Sequence, residues 1–166
     1  MARLRPHRNV LITLADALRD LGAHVDVERY CADLLSQHAS GESKEAWLDV
    51  CAHFPGHVQL WRLDVTVRST WAQGIHARSR PGLAASAGVS AKATRYGEAV
   101  SAIAMEPLGR IATESSEALW EMARQARDRH LTQVAPSQGY RRLRLALERA
   151  LLWSMAERLI AATGHG

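Results

Sequence analysis

Leu60–Arg68, Leu-Trp-Arg-Leu-Asp-Val-Thr-Val-Arg, constrains the fold more than any other stretch of the chain. Its apolar and β-branched residues predict a buried strand. Asp64 stands in the middle of it, and an aspartate is costly to bury unless a compensating charge or hydrogen bond meets it. The fold must therefore bring a partner to Asp64.

The neighbouring segments supply candidates. Trp47–Phe54 alternates, with Leu48, Val50, Ala52 and Phe54 on one face and Trp47, Asp49, Cys51 and His53 on the other. Pro55-Gly56-His57 marks a turn, so Trp47–Phe54 and Val58–Arg68 are expected to form an antiparallel hairpin. Asp49 and Asp64 are 15 residues apart, and a turn at 55–57 sets them level across the pair. Two carboxylates that close repel each other and favour a hard cation between them; Mg²⁺ suits one or two carboxylates completed by water and substrate phosphate. The Val65 carbonyl would add another oxygen. The plainer alternative pairs each aspartate with Arg62 or Arg68 as an ordinary ion pair.

The rest of the chain reads as helix, strand, strand, strand, helix, strand, helix, helix. Val10, Leu11, Leu14, Leu18 and Leu21 form a helical stripe over residues 9–22, closed by Gly22. Val25–Glu28 is expected as a short strand, Tyr30–His38 as a helical turn and Ser40–Lys44 as a loop. Ser69–Gly88, with Gly74, Pro81, Gly82 and Gly88, is expected as an irregular loop over the site, followed by a helix from Ser90 to Ala99 with Ser90 as N-cap. Val100–Met105 follows as a strand. Two helices close the chain, one over Ser115–Arg129 and one from Pro136 to near Ala162, the latter carrying Leu143, Leu147, Ala150, Leu151, Met155 and Leu159 inward. The expected fold is a single α/β domain over 1–166, a mixed sheet with helices on both faces, its core at about 9–110 and two further helices at about 115–162.

With 47% hydrophobic and 23% charged residues in 166, the chain can bury a substantial core. Two cysteines exclude a disulfide framework and point to a reducing compartment. No apolar run reaches the ~18 residues that cross a bilayer, and Asp16 and Arg19 interrupt the first apolar run, which reads as an amphipathic helix instead of a signal peptide. A net charge of +4 favours a polyanionic partner. Only Lys44 and Lys92 among the 21 basic residues are lysine, so Lys92 stands out from an arginine-rich background. Cys31, His38, Cys51 and His53 lack the spacing of a tight zinc site.

Asp49, then Leu63-Asp64-Val65-Thr66-Val67, then Lys92 with Arg95-Tyr96-Gly97, together with Met105–Arg110, resemble the restriction-like endonuclease domain of non-LTR retrotransposons, a branch of the PD-(D/E)xK nuclease superfamily. The resemblance runs from about Asp26 to Arg110. It departs from the superfamily motif at Leu48, where a proline is usual, and at Thr66, where the lysine usually stands; in the retrotransposon branch that lysine lies on the following helix, the place of Lys92.

The resemblance implies a restriction-endonuclease-like core of helix, three strands, helix and strand. It implies a Mg²⁺- or Mn²⁺-dependent endonuclease that nicks double-stranded DNA, with Asp49 and Asp64 holding the metal, Lys92 acting on the attacking water and Tyr96 supporting it. Glu106 is open between an extra metal ligand and a structural cap. Arg68, Arg78, Arg80 and Arg95 are candidate phosphate contacts, whereas Arg141, Arg142 and Arg144 read as a solvated helix face. A nuclear location and a retroelement polymerase supplied elsewhere follow from the same resemblance. The alternative is a degenerate, non-catalytic module on the same fold that binds DNA or RNA.

Overall fold

The computed structural model describes residues 5–37, 43–69 and 80–163. Its elements follow the expected order: α1 (Arg5–Asp20), β1 (His24–Gln37), β2 (Ser43–His53), β3 (Leu60–Val67), α2 (Leu83–Tyr96), β4 (Ser101–Met105), α3 (Thr113–Asp128) and α4 (Pro136–Thr163). A single 3₁₀ turn, Gly97–Ala99, joins α2 to β4. The four strands form one open mixed sheet in the order β1-β2-β3-β4. The first two pairings are antiparallel, and β3 and β4 run parallel on either side of α2.

Strand parity sorts side chains into two layers. Leu63 and Val65 of β3, Val50 and Ala52 of β2, and Ile103 and Met105 of β4 face a core built with Val10, Leu14 and Leu18 of α1, Leu119 and Met122 of α3, and Leu143 and Leu147 of α4. On the opposite face Ala85 of α2 packs on Ala104, and Tyr96 of α2 closes a second cluster with Cys31, Leu34, Cys51 and Val100, which Leu48 also joins in spite of sharing the parity of Val50. Asp64 and Thr66 have the parity of this second face. Trp61, Leu63 and Val65 fill the first face, while Arg62, Asp64 and Thr66 stand on the second, so β3 alternates apolar and polar residues.

Several elements differ from expectation for physical reasons. The apparent turn at Tyr30–His38 is strand over Tyr30–Gln37, while His38 lies outside the described residues. Between Cys31↔Ala46 and Leu35↔Glu45 the register shifts, four positions of β1 answering one step of β2. This bulge lets both Cys31 and Leu34 face inward, a spacing of three that imitates a helix. Helix α2 begins at Leu83, not Ser90, after Gly82 at φ 87°. Gly88 lies inside it: a Cβ there would stand 3.0 Å from Thr66 Cγ2, 3.2 Å from Arg68 Cγ and 3.3 Å from Ala104 Cβ. A glycine that resembles a loop signal in the sequence serves a close helix–sheet approach in the fold. The last helix leaves the core after Ser154, so Met155 is only half-buried and Leu159 is exposed.

Helix α1 ends as predicted. Gly22 takes φ 91°, with Gly22 N–H donating to Arg19 O at 2.8 Å and Ala23 N–H to Leu18 O at 3.1 Å, the paired bonds of a Schellman stop.

The outer edge of β4 is covered rather than left open. Ala112 N–H donates to Ala104 O at 3.0 Å, while Ser115 Oγ accepts from Ala104 N–H at 3.0 Å and donates to Ala102 O at 2.8 Å. Removing a hydroxyl that completes two buried backbone groups leaves them without partners. Ser115→Ala should therefore lower unfolding stability by about 1–3 kcal/mol in a urea titration; an unchanged midpoint would show that this edge does not depend on the serine.

Candidate active site

The hairpin register sets the two aspartates opposite each other. Pairing between β2 and β3 runs His53↔Leu60, Ala52↔Trp61, Cys51↔Arg62 and Val50↔Leu63, and one further step places Asp49 across from Asp64. The ladder stops there, and Asp49 replaces it: its Oδ2 accepts the Val65 N–H at 2.7 Å. Asp49 and Asp64 are 7% and 4% exposed, so neither is a surface acid.

Each carboxylate is met from a different layer. Lys92 on α2 extends its Nζ to 2.7 Å from Asp64 Oδ2. His7, in the first turns of α1, places Nε2 at 3.2 Å from Asp49 Oδ2 and 2.9 Å from the Val65 carbonyl oxygen. Tyr96 follows Lys92 by one helical turn, with the ammonium 6.0 Å from its ring centroid. Arg95 lies 5.0 Å from the same ring. The structure thus gathers Asp49, Asp64, the Val65 carbonyl, Lys92, Tyr96 and Arg95 at one place.

The electrostatics differ between the two acids. Burial pushes Asp64 above the ordinary carboxylate value of 3.8, and the adjacent Asp49 adds to the rise; Lys92 opposes both without cancelling them. Burial also pushes Asp49 upward, but the hydrogen bond and charge of His7, with help from Asp64 and the Val65 N–H, bring it below 3.8. The pair thus divides its protons unequally, with Asp64 the more basic member. Burial and the negative charge of Asp64 raise the Tyr96 phenol to about 12, so at neutral pH it is a hydrogen-bond donor and not a base.

Other expected residues lie elsewhere. Glu106 is buried, but it stands beyond Met105, the partner of Val67, whereas Asp64 pairs with Ala102. Four residues of strand separate these levels, roughly 13 Å. Its Oε1 accepts the Ala84 N–H at 3.2 Å near the start of α2, and Arg110 lies 4.0 Å from its other oxygen. Glu106 is a structural cap, not a ligand at the aspartates. Arg68 belongs to that same distant end, where its N–H donates to Met105 O. Arg80 is exposed and lines a separate cavity of about 360 Å³ with Arg110 and Arg144. Arg78 lies outside the described residues. The plainer pairing is also corrected, since Arg62 bonds Asp33 and Asp64 takes Lys92.

His7 was missed. The apolar stripe starts at Val10, and His7 stands three residues before Val10 and four before Leu11, on the same helical face. A polar residue extending an apolar stripe was the available signal.

Among the described residues no three His, Cys, Asp or Glu side chains form a group that would hold a metal ion on their own. The donor set fits a divalent ion only when the Val65 carbonyl and outside oxygens complete it, as Mg²⁺ sites commonly require. No protein-family model and no curated protein matches the chain.

The raised Asp64 has a pH signature. An acid whose folded pKa exceeds its unfolded value contributes stability at low pH that is lost as pH rises through the interval above 3.8. In metal-free buffer, the thermal stability of Asp64→Asn relative to the parent should therefore climb from about pH 4 upward and then level off. A relative stability that falls over the same range would contradict the raised pKa.

Proposed function

We propose that this chain is a restriction-endonuclease-like, metal-dependent DNA endonuclease derived from a retroelement, cutting one strand of double-stranded DNA by phosphodiester hydrolysis. The observation that carries this reading is the convergence of Asp49, Asp64 and Lys92, from two strands and the following helix, at the end of the hairpin ladder. The order α1, three strands, α2, β4 agrees with the core expected of that superfamily.

A bound Mg²⁺ or Mn²⁺ would supply Lewis-acid stabilisation of the phosphate and lower the pKa of water. Asp49 and the Val65 carbonyl would hold it, with Asp64 beside them. The Lys92 ammonium, steered by Asp64, would orient the attacking water and offset charge developing on the phosphate. Tyr96 would donate a hydrogen bond from its hydroxyl to Asp64 or to a phosphate oxygen. Arg95, 5.0 Å from that ring, would contact the DNA backbone beside the scissile phosphate. Arg68 and Arg80, at the other end of the sheet, would contact the duplex farther along. A nuclear location and a separately supplied polymerase belong to this reading alone.

One observation favours a second reading, a module that binds DNA or RNA without cutting it. Asp64 already has Lys92 as partner and Asp49 has His7, so the cluster is satisfied internally.

Plasmid nicking separates the two. With Mg²⁺ or Mn²⁺ the parent should convert supercoiled DNA to open circles, Asp64→Asn and Lys92→Ala should each slow this by about 10²-fold or more, and Asp64→Asn should bind DNA with the salt dependence of the parent. Equal behaviour of parent and variants in cleavage and binding alike would leave the binding module.

A further inference from the structure

We propose that His7 is a nitrogen ligand of the cation held by Asp49 and the Val65 carbonyl, and that it tilts this site toward Mn²⁺ over Mg²⁺. The inference rests on the metal-dependent reading of the site.

One atom makes both contacts. Nε2 stands 2.9 Å from the Val65 carbonyl oxygen and 3.2 Å from Asp49 Oδ2. Neighbouring ligands of an octahedral ion with bonds of about 2.1 Å are separated by roughly 3 Å along each edge of the octahedron. The two measured separations fit two such edges that meet at the imidazole nitrogen, which is the arrangement the assignment of His7 as a ligand requires. Without an ion, a proton on Nε2 answers the two oxygens. With an ion, the neutral imidazole carries its proton on Nδ1 and turns the Nε2 lone pair to the metal.

The ring is well placed for this. His7 is partly buried, and α1 is anchored through Val10, Leu11 and Leu14 against the sheet, so the imidazole is delivered by a packed helix rather than a loop. Farther along α1, Asn9 Nδ2 donates to the buried Ser154 Oγ at 3.0 Å, tying the first turns to α4. A site of oxygens alone suits Mg²⁺, whereas an imidazole nitrogen favours a transition-metal ion, Mn²⁺ included, over Mg²⁺.

Electron paramagnetic resonance of Mn²⁺ added to the purified chain tests this without reference to cleavage. The parent should bind Mn²⁺, and its pulsed spectrum should show ¹⁴N modulation from a directly coordinated imidazole. In His7→Gln that modulation should vanish and the Kd for Mn²⁺ should rise about tenfold, while the Kd for Mg²⁺ moves less. Bound Mn²⁺ without ¹⁴N modulation in the parent would overturn the assignment of His7, even if plasmid is nicked and the nuclease reading stands. Modulation with no nicking would support His7 as ligand while sinking the nuclease reading. No Mn²⁺ binding at all would remove both.

Discussion

Two carboxylates lie buried side by side where β2 parts from β3, and the rest of the structure has to make that tolerable. Like charges withdrawn from water repel and lose hydration together, so each needs its own compensation. Asp49 obtains it from the Val65 N–H and from His7 on one layer of the fold. Asp64 obtains it from Lys92 on the other. The sheet is thus clamped at one end by polar contacts from α1 and α2, which approach it from opposite faces. Neither helix could be displaced without leaving a buried acid exposed to its neighbour.

Helix α2 is shaped for this task more than for its own stability. Its sequence, Leu-Ala-Ala-Ser-Ala-Gly-Val-Ser-Ala-Lys-Ala-Thr-Arg-Tyr, is short of large apolar residues. Ala84, Ala85 and Gly88 are buried, and Gly88 meets Thr66, Arg68 and Ala104 with no room for a methyl group at ordinary contact distance. A glycine in a helix interior costs about 1 kcal/mol relative to alanine. That cost is offset by the close approach, which brings the Lys92 side chain within reach of a strand residue. Buried Glu106 contributes from the far end, accepting the Ala84 N–H in a helix whose preceding Gly82 has no side chain to cap it. An acid that seemed a candidate ligand instead positions the helix that bears the lysine.

These relations explain which features were legible in the sequence. The level placement of Asp49 and Asp64 followed from a short turn and strict period-two alternation, both local properties. The α1 stripe and its Gly22 stop were legible for the same reason. What failed was non-local. The bulge in β1 gave Cys31 and Leu34 a helical spacing, and only pairing with β2 resolves it. Gly88 looked like a loop because its use is visible only when Thr66 and Ala104 stand opposite. His7 escaped notice because its partners are 42 and 58 residues away. Chemistry placed on strands by parity can be read in advance, whereas chemistry delivered by a helix end from across the sheet cannot.

The charge of the cluster bears on how the proposed activity would depend on substrate. On the nuclease reading the ion-bound site would hold two carboxylates, the Lys92 ammonium and a His7 made neutral by coordination, which sum to −1 before the ion is counted. A divalent ion brings the site to +1, and one scissile phosphodiester brings it to zero. An ion alone therefore leaves excess positive charge in a place where burial makes unbalanced charge costly, and phosphate alone leaves excess negative charge. On the nuclease reading, ion and DNA should each strengthen the binding of the other, by the reciprocity that links any two ligands of one site. The internal pairs that satisfy the acids in the ion-free chain act in the same direction, because an ion would have to displace the Lys92 contact with Asp64 and the proton that His7 shares with Asp49 and the Val65 carbonyl.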